Sequence, residues 1–114
     1  MINSNCIDYN SEKRLRTGKY GVDRVVDFHG MTLGDAFDLL VETVNSCYEN
    51  NVRCILAITG KGNRFDDGRE TIKSSFPRWA QNHMIADKIL RHSAATRKDG
   101  GEGAFYVLLR RKRN

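Results

Sequence analysis

Val52 to Ile58 reads Val-Arg-Cys-Ile-Leu-Ala-Ile, a nearly continuous apolar run of strand length. A strand with one face in water alternates apolar and polar residues, so this run predicts a central strand covered on much of both faces. It cannot stand alone, and the flanking segments supply neighbours. Val22 to Phe28 is short and β-branched, which predicts a first strand ending just before His29 and Gly30. Thr32, with Asp35 three residues later, matches a helix N-cap with an acidic residue at the positive end of the helix dipole. Leu33, Ala36, Phe37, Leu40, Val44, Cys47 and Tyr48 then recur at three- and four-residue steps, so one apolar stripe faces a core, and Asn50 and Asn51 terminate it.

Thr59 to Gly68 holds three glycines and two aspartates and reads as a loop, with a helix expected from about Arg69 to Ser75. Pro77 cannot sit in a helix interior without a kink, which predicts a break near Phe76 and a restart with Pro77 in the first turn, anchored by Trp79. Residues 86–94 form a third strand, Asp99 to Gly103 another loop, and Ala104 to Leu109 a strong fourth strand. Residues 1–21 are polar and basic, with two glycines and no sustained period, and read as a flexible lead-in before a domain at 22–113. The order strand, helix, strand, helix, strand, strand predicts an α/β fold, with a largely parallel sheet closed by one antiparallel strand; it does not give the strand order.

The 114 residues and 39% hydrophobic content suit one core rather than two. Nineteen Lys and Arg against 14 Asp and Glu leave a net charge of +5, which favours a polyanionic partner without identifying it. Cys6, Cys47 and Cys54 are odd in number and lack Cys-x-x-Cys spacing, so neither a disulfide framework nor a zinc site is suggested and a reducing compartment is expected. No stretch approaches the roughly 20 apolar residues of a membrane helix, and the opening residues lack the pattern of a secretion signal. The expected location is the cytoplasm.

In a parallel arrangement the ends of the first three strands share one edge of the sheet, where ligands of open α/β sheets gather. Three unusual segments leave those ends: Asp27-Phe28-His29-Gly30, Thr59-Gly60-Lys61-Gly62, and Asp99-Gly100-Gly101-Glu102-Gly103. Glycines let amide groups approach a ligand, so two glycine loops beside a lysine suit a phosphate, although such loops are also ordinary turn chemistry. Asp27 and His29 are two apart, and at a frayed strand end their side chains share a face on which carboxylate and imidazole suit proton transfer. His83 and His92 lack ligand partners at metal spacing and read as solvated or structural. Trp79 reads as a core anchor between the short helix and the sheet, and Phe65 as a candidate for stacking on a base.

These segments resemble the Smr (small MutS-related) domain over about residues 13–113. Asp-Phe-His-Gly-Met-Thr at 27–32 is similar to the family's Asp-Leu-His-Gly-x-Thr signature, and Ile-Thr-Gly-Lys-Gly at 58–62 to its Gly-Lys-Gly turn. Gly-Gly-Glu-Gly-Ala-Phe-Tyr-Val-Leu-Leu-Arg-Arg at 100–111 resembles its glycine loop and final strand, and Leu-Arg-x-Gly at 15–18 resembles the lead-in of stand-alone proteobacterial members. The resemblance implies a two-layer βαβαββ sandwich with a four-stranded mixed sheet. It also implies nucleic-acid binding and, in several members, endonuclease activity on DNA or RNA; the alternative is a non-catalytic nucleic-acid or ribosome-binding module. One departure stands out: the family commonly has His before the Gly-Gly pair, where this chain has Asp99, a carboxylate expected to repel a phosphate unless Arg97 and Lys98 offset it.

The expected catalytic set is Asp27, His29 and Lys61. His29 moves a proton, Asp27 orients it or acts as base, and Lys61 with loop amides stabilises the growing phosphate charge. The expected binding set is Gly30, Thr59, Gly60, Gly62, Arg64, Lys98, Gly100, Gly101, Gly103 and Arg110, with Arg110 nearest the site among the terminal basic residues. For an RNA substrate the 2′-hydroxyl is a ready nucleophile and no metal is needed; for DNA, Asp27 would help bind a divalent ion such as Mg. The expected partners are nucleic acid and the ribosome, with no membrane and no small-molecule cofactor.

Overall fold

The computed structural model describes residues 12–62 and 70–112. Four strands, β1 (Arg24–Asp27), β2 (Cys54–Ile58), β3 (Ile89–Ala94) and β4 (Ala104–Leu109), form one mixed sheet in the order β1-β2-β4-β3. β1 and β2 are parallel, with Asp27 opposite Ile58, and β4 runs antiparallel to both β2 and β3. The three co-directional strands and one reversed strand match the expected mixture. The reversed strand is central rather than at an edge, which explains why Ala104 to Leu109 is as apolar as β2.

Helix α1 (Leu33–Glu49) begins where its capping residues predict, with the Thr32 hydroxyl accepting the Asp35 N–H at 3.1 Å. Ala36, Leu40, Val44 and Cys47 form its buried stripe. It stops at Asn50, and Asn51 adopts φ 58, the left-handed conformation that asparagine tolerates better than most residues. Helix α2 (Ile72–Ala80) departs from expectation: it is continuous, starts three residues later than anticipated, and carries Pro77 inside it. Thr71 and Ser74 form a reciprocal capping box that fixes the start. Pro77 removes the N–H that would reach Lys73, but it lies on the exposed face while Phe76, Trp79 and Ala80 hold the opposite face in the core. Tertiary packing outweighs the lost bond. The third strand also starts later than expected, because Ala86–Lys88 forms a single 3-10 turn.

Both helices cover one face of the sheet, meeting Val26, Ile55, Ala57, Val107 and Leu109. Trp79 packs edge-on against Phe37 of α1 at 5.6 Å, so it anchors helix to helix as well as to the sheet. His92 packs near the rings of Phe76 and Phe105, and burial lowers its pKa, as a packed neutral imidazole requires. The opposite face carries Cys54, Leu56, Tyr106 and Leu108, the alternate residues of the same two strands. Its cover comes from the basic lead-in. In the described part of that segment, residues 12–16 form a helical turn, Leu15 is 1% exposed, and Tyr20 packs beside it. The expectation of a flexible lead-in is therefore corrected for this part. Burying the Leu15 side chain contributes about 1.5–3 kcal/mol toward holding this segment against the sheet, and Tyr20 adds to it.

Candidate nucleic-acid interface

The C-terminal ends of β1, β2 and β3 and the start of β4 lie along one rim of the sheet. At the end of β1, fully buried Phe28 donates its N–H to Ile58 O at 2.8 Å and so fixes the backbone on either side. The Asp27 carboxylate then accepts the His29 backbone N–H at 3.0 Å and pairs with His29 Nδ1 at 2.7 Å. These two bonds, the backbone one first, hold the Asp27 pKa below its ordinary value. An ionised carboxylate on Nδ1 selects the tautomer with the proton there and leaves Nε2 as the basic nitrogen. The imidazole is 75% exposed, so Nε2 is accessible to a large ligand.

The loop after β2 comes against this pair. Gly60 has φ 78, and a Cβ built there would lie 4.0 Å from the Cβ of His29. His29, Gly30, Gly60, Lys61 and Gly62 line one open depression of about 420 Å³, together with the apolar side chains of Met31, Leu33 and Ile72. The first residues of α1 and α2, Leu33 and Ile72, both border it, so the depression lies beside two helix N-termini. Glu70 also lines it, but its carboxylate is paired with Arg78 at 2.6 Å. Lys61 borders a second depression of about 350 Å³ with Arg97, Gly100, Gly101 and Glu102. Lys61 thus borders both the depression that holds His29 and the one beside the late glycine loop.

The glycine loops do a different job from the one expected of them. Gly103 O accepts the N–H groups of Thr59 (2.8 Å) and Gly60 (3.0 Å), while the amides of Gly100, Gly101 and Gly103 donate to Arg97, Thr96 and Gly100 carbonyls. These five amides close turns, so they are not a cradle for phosphate. The Thr59 hydroxyl also turns inward, to the Gly60 and Gly103 carbonyls, and the residue is 5% exposed. Gly103 is glycine because of crowding: an added Cβ would sit 3.3 Å from the Gly60 carbonyl carbon.

Asp99 is also placed differently from the sequence expectation. Its carboxylate accepts the hydroxyl of Tyr106, which belongs to the second core, and so it braces the 97–103 loop instead of facing the rim. Arg97 borders the Lys61 depression; Lys98 is exposed and lines neither hollow. Arg110 is not near the site. β4 runs away from the rim, so its last residues reach the opposite edge, with Arg110 N–H bonded to Lys88 O. Arg64 and Phe65 lie outside the described residues. Met31, Thr71 and Ile72 were missed as site residues, although Thr71-x-x-Ser74 is a capping signal that marks where α2 starts.

A mixed α/β sheet with an acid–imidazole pair and a Gly-Lys-Gly turn at adjacent strand ends defines a class, and a family model makes it specific. The model described as the Smr domain matches residues 26–110, and the chain belongs to that family. Curated relatives include proteins named ribosome rescue factor SmrB. That of Vibrio vulnificus is 35% identical over 97 residues, covering 85% of this chain and 50% of the relative. That of Haemophilus influenzae is 31% identical, covering 85% and 53%. The chain thus spans about half the length of the curated relatives it matches. Among solved structures, the stand-alone small MutS-related protein YdaL of Escherichia coli superposes with a TM-score of 0.72 at 23% identity, over 91% of this chain and 76% of that one. The Smr domain of Thermus thermophilus MutS2 gives 0.61 at 16% identity, over 76% and 98%. These two likenesses establish the fold.

Proposed function

We propose that this domain binds RNA at the ribosome, and that the rim around His29 and Lys61 grips the RNA backbone. The name shared by the relatives, ribosome rescue factor, supports ribosomal work and RNA over DNA. A net charge of +5 and two helix N-termini bordering the depression suit a phosphate-rich ligand. Work at the ribosome carries a cytoplasmic location with it.

Strand cleavage is the finer reading, and the 2.7 Å contact between Asp27 and His29 carries it. His29 Nε2 takes the proton of a ribose 2′-hydroxyl as that oxygen attacks the adjacent phosphorus. The bond to the 5′-oxygen breaks, the leaving oxygen takes a proton from water, the imidazolium returns its proton to solvent, and a 2′,3′-cyclic phosphate and a 5′-hydroxyl end result. Asp27 stabilises the imidazolium, and the Lys61 ammonium offsets the charge growing on the phosphoryl oxygens. No step runs through a metal.

Incubating the wild type, His29→Ala and Asp27→Ala with labelled RNA, with the all-deoxy strand, and with a chelator tests both levels. The expected result is RNA cleavage insensitive to chelator, lost in His29→Ala and reduced at least about 100-fold in Asp27→Ala. Binding should persist in both variants. Cleavage that survives in His29→Ala removes the mechanism and leaves a binding module; no RNA binding by the wild type removes the reading altogether.

A further inference from the structure

The terminal basic residues are displaced from the rim but are not dispersed. At the far edge of the sheet Arg110, Arg111 and Lys112 join Arg53 and Tyr48 around an open hollow of about 720 Å³. Lys88 stands over the Tyr48 ring at 5.7 Å, which adds a fifth cation to the group. Two carboxylates oppose them: Asp87 lies 3.7 Å from Lys88, and Glu49 pairs with Lys112. The five cations come from α1–β2 and β3 connections and from the chain after β4, so folding collects charges that are dispersed in the sequence.

Two features suit a polyanion strand here. Arg53 Nε donates to the Leu109 carbonyl at 2.8 Å, which holds this guanidinium in a fixed orientation beside the hollow. Arg110 and Arg111 are exposed on a backbone tied down by the Arg110 N–H to Lys88 O bond at 2.8 Å, so their planar donors ride on a rigid edge. The six residues of β4 separate this edge from the rim, a span of about 20 Å at roughly 3.4 Å per residue.

We propose that this far edge is a second RNA-backbone site, which holds the strand several nucleotides away from the one engaged at the rim. The proposal rests on the RNA-binding reading above. A stacked strand rises about 3.4 Å per nucleotide, so about six nucleotides bridge the two sites and a trinucleotide cannot. The far edge supplies grip and the rim supplies chemistry, and short substrates lose the first while keeping the second.

The test is fluorescence anisotropy over a salt series, with a labelled 12-nucleotide single-stranded RNA and a labelled trinucleotide, using the wild type, Arg110→Gln/Arg111→Gln, and the control Lys13→Gln/Arg16→Gln. The control removes the same charge from exposed positions on the lead-in. For the 12-mer, the far-edge variant should weaken binding about tenfold near physiological salt and reduce the slope of log affinity against log salt by about 1.4, roughly 0.7 per lost contact. The trinucleotide should bind both proteins alike, and the control should match the wild type. Unchanged 12-mer binding in the far-edge variant overturns the second site, as does an equal loss in the control, which would mean diffuse charge. A wild type that binds neither RNA defeats the RNA-binding reading itself, an outcome distinct from both. Thermal melts of the two variants, expected to match the wild type, show that the exposed substitutions leave the fold intact.

Discussion

Gly103 shows how a single residue controls the rim. Its carbonyl accepts the N–H groups of Thr59 and Gly60, and a Cβ added to it would press to 3.3 Å on the Gly60 backbone, closer than side chains ordinarily come. Gly103→Ala should therefore push the two loops apart and destabilise the domain by about 1–3 kcal/mol, the usual range for overpacking against atoms that cannot swing aside. Denaturant titration measures this; a variant as stable as the wild type would mean that the two loops are not locked. Asp27 and His29 behave differently, because both are substantially exposed and their partnership is local. Their pairing could be read from the sequence for the same reason: two residues two apart at a strand end need no long-range contact to meet. The inward turn of Asp99 could not be read that way, since its Tyr106 partner becomes a neighbour only once β4 is in the sheet.

Among the elements, those that state their own boundaries were legible. α1 carries a capping threonine and a clean apolar stripe, while β2 and β4 carry unbroken apolar runs. α2 was not legible, because Pro77 argues locally for a break that Phe76 and Trp79 override through packing. Pro77→Ala should accordingly raise stability by about 1 kcal/mol or more, restoring an N–H donor for Lys73 on a solvent-facing turn. The shift in melting temperature reports it. A fall would mean that the restriction proline places on the unfolded chain outweighs the missing bond. The far edge shows the same limit of local reading: the basic tail was visible in the sequence, but its site was misplaced because a reversed strand carries it across the whole sheet.

For the molecule as a whole, the second core is where acidity and stability meet. Burial, helped by the charges of Asp23 and Asp99, pushes the Cys54 thiol from 9.0 up to about 11, and burial raises Tyr106 in the same cluster. Groups raised in the folded state hold protons that the unfolded chain releases, so their contribution is complete below about pH 9 and is lost as pH rises through about 11. Denaturant midpoints should fall across that window, and less steeply in Cys54→Ala; parallel curves would show that the thiol takes no part. The Gly103 clamp has one more consequence. During synthesis the chain emerges with its imidazole pair first and its last strand much later, and the turn bearing Lys61 gains its backbone acceptor only when residue 103 arrives. A growing polypeptide of this kind carries its acid–imidazole pair long before the lysine turn is braced, and the two strand ends are locked together only after residue 103 has been added.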